Sequence, residues 1–171
     1  MFIEKLVLEN FKCFGPGRAS LRLDRGMTAF IGANGSGKTA ACEALLRLFG
    51  ISGQERSVRV DDFHVPVGET DLPASRELAI EAVLAFPELD GSGENDEVGE
   101  GDDGDAAEDA ERQQQASASR AVPEFFRRMA AAEDGDLKVR VALRAEWVDD
   151  GTVEGAITES RVIVNTTTPR P

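Results

Sequence analysis

The chain has 171 residues, which is enough for one domain with a buried core. Its formal net charge is −13, but twelve of the acidic residues lie in residues 88–111, which contain no Lys or Arg, so the rest of the chain is nearly neutral. No apolar run approaches the roughly 20 residues that cross a bilayer, and the N-terminus lacks the pattern of a signal peptide. We therefore expect a cytoplasmic protein with no membrane partner. Cys13 and Cys42 have no metal-ligand spacing, and we expect both to be small buried side chains.

The first fifty residues carry strand, turn and helix signals in succession. Apolar residues alternate with polar ones in residues 2–8 and 19–23, which predicts two strands separated by a turn. The apolar run in residues 27–31 is typical of a buried strand. A glycine loop follows, and then residues 38–49 show helical spacing, with Gly50 as the predicted C-cap.

The remainder of the chain divides around a polar segment. The sequence predicts a short strand in residues 57–60 and a longer strand in residues 78–86. It predicts a loop from Ser52 to Glu55. Residues 88–119 contain almost no large apolar side chain and are expected to be disordered. A helix is predicted over residues 123–132, with Pro123 in its first position. The sequence then predicts two paired strands, in residues 137–147 and 153–164, which are joined by a turn at Asp149, Asp150 and Gly151.

One motif carries the chemistry. Eight consecutive residues match G-x-x-x-x-G-K-[ST], the P-loop pattern, and they stand between the predicted strand and the predicted helix as a P-loop should. In such a loop, backbone N–H groups at the start of a helix converge on phosphate oxygens, and glycines leave room for that approach. The residues that we expect to bind ATP are Gly32, Ala33, Asn34, Gly35, Ser36, Gly37, Lys38 and Thr39.

Two side chains of the motif have separate roles. Lys38 is the predicted catalytic cation, because its ammonium group reaches the β- and γ-phosphates. Thr39 is the predicted metal ligand, because its hydroxyl can bind Mg²⁺, which prefers oxygen ligands and the phosphates of the nucleotide. The predicted cofactors are therefore ATP and Mg²⁺. His64, the only histidine, reads as a loop residue rather than a general base.

The segment before the motif indicates which class of P-loop protein the chain resembles. Small-molecule kinases usually begin with the P-loop strand, whereas here about thirty residues precede it. The sequence IEKLVLENFKCF in residues 3–14, followed by GANGSGKT, resembles the N-terminal lobe of ABC-type ATPase heads such as those of SMC, RecF and RecN proteins. The resemblance implies that Lys12 and Phe14 border the adenine and ribose. The alternative for these two residues is a surface lysine and a core phenylalanine.

Within that superfamily the chain resembles the OLD (overcoming lysogenization defect) family of ATP-dependent endonucleases. The resemblance rests on the opening segment, on Asp61-Asp62-Phe63, on the VPEFF sequence in residues 122–126, and on the paired segments 139–147 and 150–155. It implies a head that dimerises with a second ATPase head, acts in DNA repair or phage defence, and reaches DNA through a separate Toprim nuclease domain.

Several parts of a complete head are not recognisable in these residues. There is no convincing Q-loop, signature helix, Walker B strand or Toprim acidic cluster, and the acids at Asp149 and Asp150 read as a hairpin turn. Half a site should bind nucleotide but hydrolyse it poorly, because phosphoryl transfer depends on positioning and electrostatics. Two alternatives stay open: a non-catalytic, nucleotide-dependent interaction module and a small-molecule kinase. Turnover by the isolated chain would distinguish them from binding alone.

The predicted fold class is α/β: a P-loop NTPase with the N-terminal lobe of an ABC-type head, a mixed sheet and an antiparallel β group. The predicted organisation has three parts. Residues 1–87 form the first part of the ATPase lobe, residues 88–119 the acidic insert, and residues 120–171 a helix plus a β-hairpin that complete the lobe.

Overall fold

The fold is a single antiparallel sheet with helices on one face. The computed structural model describes residues 1–87, 130–133, 136–152 and 154–164. Its helices are α1 (Lys38–Phe49) and α2 (Gly53–Arg56), and its strands are β1 (Phe2–Glu9), β2 (Ala19–Arg22), β3 (Ser75–Ala85), β4 (Ala131–Glu133), β5 (Asp136–Val148) and β6 (Ala156–Val164). The strand order is β2-β1-β3-β5-β4, and β6 also pairs with β5. All of these pairings are antiparallel.

One face of the sheet holds the core. Alternate residues of a strand point to the same face, so the apolar positions of β1, β3 and β5 form a continuous layer. The helix α1 covers this layer with small side chains, which lets the helix backbone approach the sheet closely. The fully buried members of this layer include Leu6, Leu8, Ile80, Leu143, Ala41 and Ala44.

The opposite face of the sheet is charged yet partly buried. Glu81 is 2% exposed and accepts hydrogen bonds from Arg18 (2.6 Å) and Arg140 (3.3 Å). Lys138 forms an ion pair with Glu4 at 3.0 Å. Charged side chains tolerate this burial because they are paired.

The C-terminal half of α1 is anchored by a buried ion pair. Arg47 donates from Nε to Asp62 Oδ2 at 2.6 Å and from Nη2 to Oδ1 at 3.2 Å. The Asp62 side chain is fully buried and also accepts from the amide of Arg59 at 2.9 Å. Burial raises the pKa of Asp62, but the hydrogen bonds from Arg47 and the Arg59 amide outweigh it and hold that pKa below its ordinary value. Asp62 is therefore a carboxylate in the folded protein at neutral pH.

Most predicted elements are confirmed. The helix at residues 38–49 has the predicted bounds, β1 and β2 match the first two predicted strands, and β5 and β6 form the predicted hairpin. The α/β class with its antiparallel strand group is also confirmed.

The prediction of a buried strand in residues 27–31 is wrong. This segment is irregular, and Met27 and Ile31 are 82% and 94% exposed, although Phe30 packs against the core. A strand needs backbone hydrogen bonds from a neighbouring strand, and none of the described strands pairs with this segment. The apolar run has the composition of a strand, but it has no neighbouring strand among the described residues with which to pair.

Four smaller predictions also need correction. Residues 57–60 do not form a strand, and a 3-10 turn occupies Val60–Asp62. The predicted loop at Ser52 to Glu55 is instead a helical turn, α2, closed by a capping box between these two residues. Ala131 and Ala132, the predicted end of a helix, lie in β4. Cys13 and Cys42 are exposed rather than buried.

Two further predictions fall outside the described residues. The acidic insert at residues 88–119 and the helix start at residues 123–129 both lie there. The division of the chain at residues 87 and 119 therefore stays a prediction.

The buried pair predicts a large difference between two adjacent aspartates. Asp62→Ala leaves Arg47 buried without its carboxylate, and we expect the free energy of unfolding to fall by about 3–5 kcal/mol. Asp61→Ala is the matched control, because its side chain is 71% exposed and its contact with Lys12 is long, at 3.5 Å. We expect that control to change stability by no more than about 0.5 kcal/mol in urea denaturation. Equal losses in the two variants would contradict the account.

The lowered pKa of Asp62 also predicts a pH dependence. The unfolded chain binds the proton more readily than the folded chain, so the stabilisation from this carboxylate is present above the ordinary pKa of 3.8 and is lost as the pH falls through the lowered folded value. Between about pH 5 and pH 2, the unfolding free energy of wild type should decrease more steeply than that of Asp62→Asn. Parallel pH profiles in urea denaturation would count against this role.

Candidate nucleotide-binding site

The glycine loop ends at the start of α1. Gly35 and Gly37 have φ angles of 81° and 90°, in the left-handed region that favours glycine. Gly37 is the N-cap, and its carbonyl accepts the first helical hydrogen bond, from the amide of Ala41 at 2.9 Å. The first amides of a helix have no acceptor within the helix and point outward with the positive end of the dipole. The loop therefore presents amide donors to an anion.

The Lys38 side chain folds back over the loop. Its ammonium group donates to the carbonyl oxygens of Gly32 (2.8 Å) and Ala33 (2.7 Å), and it lies 3.5 Å from the hydroxyl of Ser36. A Cβ atom on Gly32 would lie only 2.8 Å from that hydroxyl, so the loop closes tightly at this point. The loop is thus organised around one cation, which sits where phosphate oxygens would bring negative charge.

A cleft of about 360 Å³ opens over the loop and the first turn of α1. Thr39 is exposed there, so its hydroxyl is accessible to a metal ion bound with the nucleotide. The cleft brings together the loop, the first turn of the helix and a second segment from residues 12–13. Its lining residues are Lys12, Cys13, Asn34, Gly35, Ser36, Gly37, Lys38, Thr39, Ala40 and Glu43.

The second segment is the turn between β1 and β2, which we call the nucleoside turn (residues 10–15) because the sequence predicts that it borders the adenine and ribose. Asn10 and Lys12 have φ angles of 52° and 50°, which are uncommon for residues other than glycine. The turn lies against the glycine loop, because a Cβ on Gly37 would be 2.9 Å from the Phe14 ring and 3.1 Å from the Cys13 sulfur. Gly37 is therefore needed both for its φ angle and for this close approach.

Lys12 lies in the cleft within a group of carboxylates. Its ammonium is 3.0 Å from Glu43, 3.3 Å from Asp62 and 3.5 Å from Asp61. Burial lowers the pKa of Lys12, but the hydrogen bonds and charges of Glu43 and Asp62 outweigh it and hold that pKa above its ordinary value. Lys12 is therefore a cation at neutral pH, and its charge is largely balanced by these carboxylates.

Phe14 occupies a different position from Lys12. It is half-buried, packs against the core and contacts the backbone of Gly37, and it does not line the cleft. The two residues that the sequence associates with the base are therefore close in the chain, but Lys12 lines the cleft and Phe14 packs against the core. A contact between either of them and the base stays a prediction.

Sequence reasoning missed three residues that shape this site. Glu43 gave no signal, because a single acid on an amphipathic helix is ordinary. Asp62 belongs to a short motif whose role the sequence does not show. His64 lies in a loop as predicted, but the sequence does not indicate its contact with the turn at Lys12. All three act through contacts that join distant parts of the chain, and His64, for example, lies 52 residues from Lys12, whose carbonyl oxygen it contacts.

A larger groove of about 410 Å³ lies over β1, β3, β5 and β6. Its charged lining is mainly acidic, with Glu9, Glu77, Glu146 and Glu159 against Arg18 and Arg144. Such a lining repels a triphosphate. The smaller cleft, with its helix N-terminus and two lysines, is the better anion site.

A glycine loop with left-handed residues, a lysine that matches the P-loop pattern and folds back over that loop, and a helix that starts at this lysine define a P-loop nucleotide-binding protein. The sequence family described as AAA ATPase domain matches residues 1–103, which is more than half of the chain. The chain belongs to this family, and it is therefore an ATP-binding ATPase domain.

Known proteins show further similarity. The chromosome partition protein Smc of Pyrococcus furiosus is 37% identical over 75 residues, which cover 43% of this chain but only 6% of that protein. A structure of an SMC ATPase, from work on ATP-driven dimerisation, is 23% identical with a TM-score of 0.42 and covers 98% of this chain and 73% of that chain.

A P. furiosus Smc head domain, bound to the C-terminal domain of ScpA, is 22% identical with a TM-score of 0.43 and covers 97% of this chain and 30% of that chain. Among the helices described for this chain, none is long and apolar enough to cross a membrane.

The close approach at Gly37 predicts a graded series of alanine variants. Gly37→Ala combines an unfavourable φ with a collision, and it should lower the free energy of unfolding by about 1–3 kcal/mol or more. Gly35→Ala keeps the φ penalty but meets nothing within 4 Å, and Gly17→Ala has neither problem. We expect the losses in urea denaturation to decrease in that order. If Gly37→Ala lost no more than Gly35→Ala, the contact between the nucleoside turn and the loop would be refuted.

Proposed function

We propose that this chain binds ATP together with Mg²⁺ in the cleft above the glycine loop. The observation that carries the proposal is the Lys38 ammonium, held 2.8 and 2.7 Å from two carbonyl oxygens of its own loop at the N-terminus of α1. A cation and a helix N-terminus that face the same cleft attract a polyphosphate. Binding exchanges the loop carbonyls for phosphate oxygens as partners of Lys38.

The residues of the loop have different roles in this proposal. The backbone from Asn34 through Gly37 supplies amide donors to the β-phosphate, and Lys38 neutralises charge on the β- and γ-phosphates. The exposed hydroxyl of Thr39 would bind Mg²⁺ together with phosphate oxygens, since Mg²⁺ prefers oxygen ligands. The metal ion, when bound, offsets the negative charge that builds on the transferred phosphoryl group.

The nucleoside end of ATP would lie toward the nucleoside turn. Lys12 lines the cleft on that side, and its charge is already balanced by Glu43, Asp61 and Asp62. A charge-balanced lysine suits a ribose or base edge better than a second phosphate. Phe14 supports this surface from behind through its contact with Gly37.

For the full-length protein we propose an OLD-like ATP-dependent DNA endonuclease. The support is the sequence resemblance, in which Asp61, Asp62 and Phe63 follow the first helix. Asp62 and Phe63 are buried against the nucleoside turn, which gives this short motif a structural reason. ATP would drive association with a second head, DNA would be reached through a separate nuclease domain, and a cytoplasmic location is part of the same proposal.

A second candidate is a nucleotide-binding module without turnover. The observation that favours it is the pairing of Glu43, the carboxylate in the cleft lining, with Lys12 at 3.0 Å. A carboxylate held in an ion pair is a poor base for activating water. Binding with negligible hydrolysis by this chain would support the module, whereas hydrolysis that Lys38→Ala abolishes would support an enzyme.

Calorimetry tests nucleotide binding directly. Wild type should bind ATP in the presence of Mg²⁺, and Lys38→Ala should weaken the affinity by about 10- to 100-fold, as expected for losing a hydrogen bond to a charged group. Arg22→Ala, which removes the same charge from an exposed position on β2 outside the cleft, should leave the affinity unchanged.

The Thr39→Ala variant tests the contribution of the metal ion separately from the binding of the nucleotide. It should reduce the gain in affinity that Mg²⁺ provides while leaving the metal-free binding of ATP nearly intact. The proposal fails if folded wild type takes up no ATP, or if Arg22→Ala weakens binding as much as Lys38→Ala.

A further inference from the structure

The nucleoside turn adopts a backbone conformation that needs external support. Asn10 and Lys12 both lie in the left-handed region, and such residues persist only where their surroundings fix them. Within the turn, the amide of Asn10 donates a hydrogen bond to the carbonyl oxygen of Gly15 at 2.9 Å, and the amide of Phe14 donates one to the carbonyl oxygen of Phe11 at 2.8 Å. These two bonds close the turn but do not fix where it lies relative to the glycine loop.

His64 supplies much of the external support. Its Nδ1 lies 2.6 Å from the carbonyl oxygen of Lys12, and its amide donates to the carbonyl of Asn10 at 2.9 Å. A carbonyl only accepts, so Nδ1 carries the proton in this contact. His64 therefore binds the carbonyls of both residues that have left-handed backbones.

Gly15 makes room for the imidazole ring. A Cβ atom at this position would lie 3.3 Å from Nε2 of His64 and within 3.8 Å of two ring carbons. The ring therefore lies beside the closing residue of the turn while its other nitrogen holds Lys12. Any side chain at position 15 would push against it.

His64 is itself fixed to the sheet. Its carbonyl accepts from Arg76 of β3 at 2.9 Å, and the preceding Phe63 is 3% exposed and bridges to Phe11. The path of contacts thus runs from β3 through His64 to the backbone of Lys12, whose side chain lines the cleft. A displacement of the imidazole moves Lys12 and Cys13 relative to Gly37.

We propose that His64 is a positioning residue that sets the nucleoside side of the cleft and so makes the site prefer a nucleoside triphosphate to a bare polyphosphate. This inference rests on the proposed ATP binding, because it assigns the preference to the nucleoside turn and the anion affinity to the glycine loop. The phosphate side is formed by residues of the loop and α1, whereas the hydrogen bonds of His64 described above join it to Lys12, Asn10 and Arg76.

The test compares two probes, ATP and inorganic tripolyphosphate, each with Mg²⁺, by calorimetry on the 171-residue chain. In His64→Ala the dissociation constant for ATP should rise about three- to tenfold, as for one lost hydrogen bond, while that for tripolyphosphate should stay within about twofold. His64→Asn keeps an N–H donor at the same number of bonds from the backbone and should restore most of the ATP affinity.

Two results for His64→Ala would overturn the inference. Unchanged ATP affinity would show that the turn does not need the imidazole, and equal weakening of both probes would show a general structural role. If His64→Ala does not fold, Gly15→Ala decides, since its methyl group would lie 3.3 Å from Nε2 and crowd the ring. A selective loss of ATP affinity then supports the inference, and an unchanged ratio between the probes refutes it.

The proposed function and the inference fail in different ways. Wild type that binds neither probe refutes the nucleotide site itself. If wild type and the His64 variants all bind the two probes with equal affinity, the P-loop site stands. That result would nevertheless refute the proposed role of His64.

Discussion

The geometry of the cleft depends on one buried carboxylate, that of Asp62. It accepts hydrogen bonds from Arg47 on α1 and from the amide of Arg59, and it lies 3.3 Å from the ammonium of Lys12. An isolated buried charge is very unfavourable, so these partners together stabilise the carboxylate in the folded chain. The same carboxylate therefore joins the helix that starts at the glycine loop to the turn that faces that loop.

The proposed phosphate side and the proposed nucleoside side of the cleft are held in different ways. The phosphate side is local: Gly35, Gly37 and Lys38 lie within four residues of one another, and their conformation follows from glycine backbone freedom and the start of a helix. The nucleoside side is assembled from distant segments, because His64 and Asp62 hold a turn centred on Lys12. Local changes in the loop should thus affect anion binding, and changes in the second group should affect selectivity.

This division explains what the sequence could predict. The bounds of α1 and the glycine loop were predictable because glycines, helical spacing and the motif are all local signals. The exposure of residues 27–31 was not, since an apolar run does not reveal whether a partner strand lies beside it. The exposure of Cys13 and the role of His64 depend on a turn with two left-handed residues, Asn10 and Lys12, neither of which is a glycine. The sequence predicts a turn at this place, but it does not indicate that Lys12 adopts a left-handed backbone there.

A structure of the chain with Mg²⁺ and a non-hydrolysable ATP analogue tests the central claim most directly. The account predicts that the triphosphate lies at the N-terminus of α1 and that the Lys38 ammonium has left the carbonyls of Gly32 and Ala33 for phosphate oxygens. A nucleotide bound elsewhere, or a Lys38 that still holds both carbonyls beside a bound triphosphate, would contradict it.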